Sequence, residues 1–317
     1  MMKILFMGTP DFAVPILTAL HLHDKYEIVA VVTQPDRPKG RGHGVVFSPV
    51  KEYALASNLP VLQPEKVKKN DSFAQELTAL GADIFVVVAY GQILPESILD
   101  IPPLGCINIH ASLLPKYRGA APMQRAILNG DKLTGVTIMH MDKGMDTGDM
   151  ILKKTVAIDE VDRFNDVHDK MAALSCECIV EALELIGAGR AEREPQDHTQ
   201  ATYAPMLVKE DGLIDWGGLT SKIVNQVRAL DPWPGTYTYF DGQVIKVWEC
   251  SACDNLDDFE AFKTAKPGTV LENKSHLLVK TGDGMLSVTM LQGQGGKRMM
   301  AADYLRGRNI AVGAVLG

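Results

Sequence analysis

The sequence lacks the features that mark membrane, secreted and strongly basic proteins. Its longest apolar runs, such as residues 84–89, are far shorter than the roughly 18–20 residues of a membrane-crossing helix. The 32 Lys and Arg residues are outnumbered by 39 Asp and Glu, so the net charge of −7 excludes a strongly basic nucleic-acid binder but not a local basic patch. The first residues resemble neither a signal nor a transit peptide, so we expect a cytoplasmic protein.

Motifs for nucleotides, disulfides and metals are missing as well. The glycines of GRGHG (40–44) lack the G-x-G-x-x-G spacing of a dinucleotide site, and there is no Walker-type phosphate loop. The five cysteines are an odd number, which disfavours a disulfide framework. Cys250 and Cys253 form a single CxxC without a second pair, so the spacing predicts no metal site.

Apolar runs in the first half of the chain predict an open α/β fold. The runs at 3–7, 28–33 and 84–89 do not alternate with polar residues, which is typical of parallel strands covered on both faces. Thr9 before Pro10 resembles a helix cap. Helical patterns accompany these runs at 10–22, 49–57 and 71–80. This alternation places a functional site at the carboxyl ends of the strands.

The last third of the chain has a different pattern. A long helix is predicted over 163–186, and the polar, aperiodic residues after it are typical of an interdomain linker. Asp241-Gly242 lies between two β-rich runs, which is a strong hairpin signal, and further short strands are predicted. We therefore expect a small antiparallel barrel. The predicted boundaries are 1–187 for the first domain, 188–207 for the linker and 208–317 for the second domain.

The stretch CINIHASLLPKYRGAAPMQR (106–125) holds the densest group of candidate catalytic residues. Asn108 and His110 lie two apart in a predicted strand, so both side chains point to one face. An amide beside an imidazole can stabilise an oxyanion and move a proton. A lone His–Asn pair is usually structural, but this pair ends a strand and precedes an apolar loop and a helix predicted from Pro122.

A second stretch, GVTIMHMDKGMDTGDM (135–150), predicts a strand that leads into a loop rich in Gly and Asp. In one interpretation Asp142, Asp146 and Asp149 cap backbone amides of a solvated turn. In the other, a carboxylate lies beside His110 and orients its imidazole. A calcium loop does not fit, because the EF-hand spacing and its terminal Glu are missing.

Taken together, motifs along almost the whole chain resemble the methionyl-tRNA formyltransferases. The motifs are GTPDFAVP (8–15), QPDRPKGRG (34–42), VVVAYGQILP (86–95), NIHASLLPKYRGAAP (108–122), TGVTIMHMDKGMDTGDM (134–150) and DPWPG (231–235). Asn-x-His and SLLPKYRGAAP mark the wider formyltransferase superfamily, whereas GTPDF, QPDRPKGRG and the complete second domain point to the tRNA enzymes. The resemblance implies a Rossmann-like formyltransferase domain with an open, mostly parallel sheet, followed by an OB-like antiparallel β-barrel that binds tRNA.

The resemblance also implies a reaction and its catalytic residues. The formyl group of 10-formyltetrahydrofolate would pass to the α-amino group of methionine on charged initiator tRNA, giving formylmethionyl-tRNA for translation initiation. The family's catalytic trio falls on Asn108, His110 and Asp146, without a substitution. No metal is implied, and we expect a monomer.

Two binding segments follow from the same resemblance. The residues that would contact the folate are Ser112, Leu113, Leu114 and Pro115, and residues 90–94 are either a second wall of that pocket or part of the core. The basic residues Arg37, Lys39 and Arg41, with Lys51 nearby, outnumber Asp36. This stretch would engage the acceptor end of the tRNA, with Arg41 as the matching arginine; by itself it is equally typical of a mobile surface loop.

Four other functions are compatible with parts of the sequence. A formyltransferase for an amino-sugar nucleotide would use the same trio, although the basic loop and the second β domain favour tRNA. Hydrolysis of the folate to formate would require the trio to activate water. An oxidoreductase is disfavoured by the missing glycine fingerprint, and a non-catalytic RNA-binding module has no use for the trio.

Overall fold

The computed structural model describes residues 1–39, 44–253 and 264–317. These residues divide into two compact units. The first unit comprises Met1–Pro122, Leu133–Ala157 and Val167–Ala204, and the second comprises Met123–Lys132, Ile158–Asp166 and Pro205–Gly317. Two short segments from earlier in the chain therefore cluster with its last third. The continuous domain boundaries given above stay a prediction.

The first unit is built on a seven-stranded sheet. Its strands and those of a separate two-stranded ribbon are β1 (Met2–Gly8), β2 (Tyr26–Val32), β3 (Arg37–Lys39), β4 (Gly44–Val46), β5 (Val61–Leu62), β6 (Ile84–Val88), β7 (Cys106–His110), β8 (Leu133–His140) and β9 (Met150–Ala157). The order across the sheet is β5-β2-β1-β6-β7-β8-β9, and β3 pairs with β4 alone. Every pair from β5 to β7 is parallel, whereas β8 is antiparallel to both of its neighbours. The predicted open, mostly parallel sheet is confirmed.

Helices follow the strands at every position where the sequence pattern predicts one, and one further short helix, at 96–99, was not predicted. They are α1 (Ala13–His21), α2 (Pro49–Ala56), α3 (Asp71–Ala79), α4 (Glu96–Leu99), α5 (Pro122–Asn129) and α6 (Phe164–Gly187). The cap predicted at Thr9 is wrong, because α1 begins four residues later, after a turn in which Ala13 N–H donates to the Pro10 carbonyl. The Thr9 hydroxyl instead donates to the Tyr90 carbonyl at 2.8 Å. This bond joins the segments that follow β1 and β6.

The core of the first unit explains why β1 and β6 lack a polar face. The apolar side chains of β1 and β6 are buried, from Ile4 to Met7 and from Ile84 to Val88. Helix α3 contributes Phe73 and Leu77 to the same cluster. Full burial of such side chains stabilises the fold by about 1.5–3 kcal/mol each. Strands covered in this way provide a rigid support for the loops at their carboxyl ends.

The second unit contains an antiparallel sheet. Its elements are α7 (Thr220–Ala229), β10 (Thr236–Phe240), β11 (Gln243–Cys253), β12 (Val270–Asn273), β13 (Leu277–Lys280), β14 (Met285–Gly293), β15 (Met299–Met300) and α8 (Ala301–Gly307). The strand order is β10-β11-β14-β13-β12, with β15 paired to β14. The predicted antiparallel β region is confirmed. Over the described ranges of the whole chain, no helix combines the length and apolar character that crossing a membrane requires.

The hairpin predicted at Asp241-Gly242 is confirmed by the pairing of β10 with β11. Phe240 pairs with Gln243, so the connection between β10 and β11 is a two-residue turn. Both turn residues have positive φ, +49° for Asp241 and +70° for Gly242. Turns of this kind match the twist of an antiparallel ribbon and favour the Asp-Gly pair.

Candidate active site

The candidate catalytic residues meet on one face of β7. Asn108 and His110 alternate with the buried Ile107 and Ile109, as a strand pattern requires. The connection between β8 and β9, residues 141–149, brings Asp146 to the same face. Asp146 Oδ2 lies 3.7 Å from His110 Nδ1, and Asp146 Oδ1 lies 3.5 Å from Asn108 Nδ2. The three residues that the family pattern singles out are therefore neighbours in space.

The contacts of His110 fix the protonation pattern of its ring. His110 Nε2 lies 2.9 Å from the carbonyl oxygen of Tyr117, and a carbonyl only accepts hydrogen bonds. We therefore assign the hydrogen of the neutral ring to Nε2. Nδ1, the nitrogen nearer to Asp146, then carries the lone pair of the neutral ring. The imidazole is 6% exposed, so its orientation is held by burial as well as by this bond.

The carboxylate of Asp146 is also held by the backbone. Its Oδ2 accepts a hydrogen bond of 2.8 Å from Gly119 N–H. The residue itself has φ of +54°, in the left-handed region that Asp and Asn tolerate better than most residues. With the side chain 16% exposed, the carboxylate is mostly withdrawn from water but still open to a small reactant.

The other interpretation of the acidic loop, capping of a turn, applies to a neighbouring residue. Asp142 Oδ1 accepts from Gly144 N–H at 2.9 Å and from the Thr147 hydroxyl at 2.7 Å. Gly148 completes the turn, because a Cβ there would lie 1.8 Å from the His140 carbonyl oxygen. The loop thus uses one aspartate for its own conformation and directs another at the imidazole.

The sequence analysis missed Gln196, which contacts this loop, and its pairing with Arg118. Gln196 Nε2 donates to the backbone carbonyls of Asp146 and Gly148, and its Oε1 accepts from the Arg118 guanidinium. Gln196 lies in the segment predicted as a linker, where polar composition gave no sign of burial. Arg118 stands in the family motif, but the pattern alone did not indicate its partner.

The segment expected to contact folate forms a turn directly after β7. The Ser112 hydroxyl is fully buried and donates to the Lys116 carbonyl at 2.6 Å, and Leu114 N–H donates to the Thr137 hydroxyl at 3.1 Å. Leu114 also packs against Met139 and Met150. Leu113 and Pro115 are partly exposed. A role of the four residues in folate binding stays a prediction.

The segment at 90–94, which had two interpretations, is divided between core and surface. Tyr90 and Leu94 belong to the core of the first unit, and burial raises the pKa of the Tyr90 hydroxyl to about 12. Gln92 accepts a hydrogen bond from Val67 N–H. Ile93 is 76% exposed. The core interpretation therefore holds for Tyr90 and Leu94.

The basic stretch is a ribbon in the structure. Arg37 in β3 pairs with Val46 in β4, and its side chain is exposed. Lys39 ends β3, and Arg41 lies outside the described residues. Lys51 makes an ion pair with Asp36, and the hydrogen bonds from Lys51 and Gln63 lower the pKa of that carboxyl below its usual value. One of the four cations counted in the sequence is thus neutralised within the fold.

The side chains that could bind a metal are dispersed. In the part of the chain that the structure describes, no group of three His, Cys, Asp or Glu side chains is arranged to hold a metal ion. The described cysteines are all unpaired, and burial raises the pKa of the Cys106 thiol to about 12. Such a thiol is a poor nucleophile at neutral pH.

Comparison with known proteins covers both parts of the chain. Residues 2–183 match the family described as Formyl transferase, and residues 206–309 match Formyl transferase, C-terminal domain. A methionyl-tRNA formyltransferase from Caldanaerobacter subterraneus subsp. tengcongensis is 50% identical over 315 residues, 99% of this chain and 100% of that protein. One from Clostridioides difficile is 47% identical over 317 residues, covering 100% of each chain.

A solved structure supports the fold independently. The N-formyltransferase from Helicobacter canadensis, in complex with folinic acid and dTDP-3-aminofucose, is similar with a TM-score of 0.65. The match covers 91% of this chain and 99% of that one at 20% identity, so this likeness concerns the fold alone. The full-length identity to the curated enzymes is more specific. On that basis the chain belongs to the methionyl-tRNA formyltransferase family.

Proposed function

We propose that this chain transfers the formyl group of 10-formyltetrahydrofolate to the α-amino group of methionine on initiator methionyl-tRNA, giving formylmethionyl-tRNA for translation initiation. The observation that carries the proposal is the meeting of Asn108, His110 and Asp146 within 3.7 Å on one face of β7. The relatives that match the full length of the chain are methionyl-tRNA formyltransferases, and their name supplies the substrate class. We expect the protein to act as a monomer in the cytoplasm, without a metal.

Asn108 is suited to stabilise the charge that forms during the reaction. Attack of an amine on the formyl carbon places negative charge on the formyl oxygen. Asn108 Nδ2 carries two hydrogens, of which one points to Asp146 and the other is available for that oxygen. A donor that is already in position stabilises the oxyanion without reorganisation, and loss of one typically costs ~10²–10³ in rate.

His110 and Asp146 are suited to move the proton. The attacking amine must lose a proton, and the folate nitrogen must gain one when the carbon–nitrogen bond breaks. His110 Nδ1 accepts the first proton, and the resulting imidazolium donates to the oxyanion and then to the leaving nitrogen. Asp146, 3.7 Å from Nδ1, stabilises the imidazolium through its negative charge. No proton is gained or lost overall.

The remaining predicted residues bind the two substrates in this proposal. The turn from Ser112 to Pro115 offers the apolar side chains that a flat pterin ring requires, next to the catalytic face of β7. The basic stretch with Arg37, Lys39 and Arg41 supplies positive charge for the phosphates at the acceptor end of the tRNA. An amino-sugar acceptor is less consistent with curated tRNA-enzyme relatives that cover the whole chain.

A formyl-transfer assay tests the proposal. The donor is 10-formyltetrahydrofolate, and the acceptors in parallel reactions are methionine-charged initiator tRNA, uncharged tRNA and a UDP-amino-sugar. Formylation of the charged tRNA alone is the expected result. Transfer to the sugar, or release of formate without any formylated acceptor, would contradict the substrate assignment while leaving the chemistry of the trio in place.

A further inference from the structure

We propose that Gln196, held by Arg118, is a positioning residue that fixes Asp146 against His110. The inference deepens the proposed function and rests on it. Neither residue touches the reacting atoms. Their effect passes through the backbone of the loop 141–149, which carries the catalytic carboxylate.

The loop needs such a support because it has little apolar packing of its own. Lys143, Gly144 and Met145 are exposed, and the Met145 side chain is 58% exposed. Asp146 has φ of +54°, in a region that Asp tolerates better than most residues but that still requires support from its surroundings. With so few buried side chains, hydrogen bonds have to determine where this loop lies.

Gln196 supplies these hydrogen bonds from a buried position. Its side chain amide is 5% exposed, and Nε2 lies 2.9 Å from the Asp146 carbonyl and 2.8 Å from the Gly148 carbonyl. Both amide hydrogens are therefore used, one on each side of Thr147. The two bonds fix the peptide groups from which the Asp146 side chain extends.

Arg118 determines which way the Gln196 amide faces. Arg118 is 2% exposed, and its Nε and Nη2 lie 3.1 and 2.7 Å from Gln196 Oε1. A guanidinium can only donate, whereas the carbonyls of the loop can only accept. The amide oxygen must therefore face Arg118, and the amide nitrogen must face the loop. A glutamate would satisfy the guanidinium but would leave nothing to donate to the loop, which explains a neutral amide at this position.

Arg118 also connects Gln196 to Gly119, the residue that holds the Asp146 carboxylate. Its backbone is paired with the chain at 202–204, through Arg118 N–H to Thr202 and Ala204 N–H to Arg118. The next residue, Gly119, donates its N–H to Asp146 Oδ2. Asp146 is thus held through its carboxylate by Gly119 and through its backbone by Gln196. Together these contacts set the 3.7 Å separation from His110 Nδ1.

The test replaces the donor and keeps the acceptor. Gln196→Glu retains the size of the side chain and its bond to Arg118 but places an oxygen against the Asp146 and Gly148 carbonyls. Displacement of a catalytic group by about 1 Å can cost ~10²-fold in rate, so we expect kcat for formyl transfer to fall between about 10- and 100-fold. KM for folate and for methionyl-tRNA stays within about twofold, because no substrate contact is removed. The thermal midpoint stays near the wild-type value, because the new carboxylate pairs with Arg118.

The matched control is Gln200→Glu, which makes the same chemical change four residues away. Gln200 is exposed, and its side-chain amide donates to the Asp197 carboxylate at 2.8 Å. We expect wild-type kcat for this variant. An equal loss of kcat in both variants would show a general effect of the added negative charge and would overturn the proposal. If Gln196→Glu does not fold, Gln196→Met, which is similar in length and has no donor, carries the same expectation for kcat and KM, whereas its thermal midpoint should fall because Arg118 loses its acceptor.

Hydrogen–deuterium exchange of the substrate-free protein gives a second readout that does not depend on activity. Gln196→Glu should increase exchange in residues 141–149 and leave β7 unchanged. If the wild-type chain does not formylate methionyl-tRNA, the proposed function fails, and this exchange pattern still decides whether Gln196 holds the loop. For Gln196→Glu, wild-type kcat with unchanged exchange, a rise in KM alone, or a parallel fall of kcat and thermal midpoint would each overturn the inference.

Discussion

The loop that carries Asp146 and the ribbon formed by β3 and β4 show two ways of presenting charge. Asp146 accepts from Gly119, neighbours His110 and Asn108, and is 16% exposed. Arg37 on the ribbon is exposed. A group that does chemistry is held in place before the substrate arrives, because reorganisation during the reaction would cost rate. A group that attracts phosphates remains solvated until it binds and acts through its charge.

This comparison separates the kinetic effects expected in the two regions. Changes around Asp146 should act on kcat, since the contacts there serve the transition state. Changes on the ribbon should act on tRNA affinity and on its salt dependence. A change around Asp146 that altered only tRNA affinity, or a change on the ribbon that altered kcat, would contradict this assignment.

The largest effect is expected for Asn108→Ala. The substitution removes the donor proposed for the formyl oxyanion, so kcat should fall by ~10²–10³. The half-buried position tolerates a smaller side chain, and thermal unfolding should therefore be close to that of the wild type. Steady-state kinetics with saturating methionyl-tRNA measure the loss. Turnover near the wild-type level would remove Asn108 from the mechanism.

A somewhat smaller effect is expected for Asp146→Asn. Asparagine tolerates the left-handed backbone at φ +54°, so the variant removes the charge and keeps the loop. Proton transfer loses its electrostatic support, and kcat should fall by about 10²-fold. Asp142→Asn is the control, since Asp142 accepts its hydrogen bonds from Gly144 and Thr147 within its own turn. Equal losses in the two variants would contradict the distinction between the aspartates.

The ribbon should respond differently. Arg37→Ala combined with Arg41→Ala removes two cations, and we expect the Kd for tRNA to rise about tenfold while kcat at saturation stays unchanged. The slope of log affinity against log salt should decrease by ~0.7–0.9 for each phosphate that the protein no longer neutralises. Filter binding over a series of salt concentrations measures both quantities. An unchanged slope would mean that these arginines do not contact the phosphates.

The smallest effect is expected for Lys51→Met. Lys51 is paired with Asp36 and lies 4.0 Å from the centre of the Phe47 ring, so its charge is already neutralised inside the fold. Methionine keeps the packing on the ring. The Kd for tRNA should change by less than about threefold, in the same binding assay. A change as large as that of the double arginine variant would show that Lys51 acts as a binding cation.

The proposed catalytic trio could be identified from sequence because each member lies in a local pattern. Asn108 and His110 alternate in an apolar strand, and Asp146 lies in a Gly- and Asp-rich loop that follows another strand. The relation of Asp146 to His110 depended on strand pairing, and the motif resemblance supplied it. The structure places the two side chains 3.7 Å apart.

Other features of the structure could not be predicted from local sequence patterns. Strand β9 was missed because its residues alternate between partly buried and exposed positions and include Lys153 and Lys154, as an edge strand that avoids further pairing often does. Gln196 was missed because its burial results from contacts with residues about 50 and 78 positions away, which no local pattern encodes. Lys51 was counted as an available cation because its pairing with Asp36 is a tertiary contact.

Single-turnover formylation with enzyme in excess is the most direct test of the central claim, that the trio performs the chemistry and the ribbon binds the tRNA. The rate constant is measured against enzyme concentration for the wild type, for Asp146→Asn and for the double arginine variant, with methionyl-tRNA and saturating 10-formyltetrahydrofolate. We predict a lower maximal rate with an unchanged half-saturation point for Asp146→Asn, and the opposite pattern for the arginine variant. A lower maximal rate for the arginine variant, or a shifted half-saturation point alone for Asp146→Asn, would contradict the account.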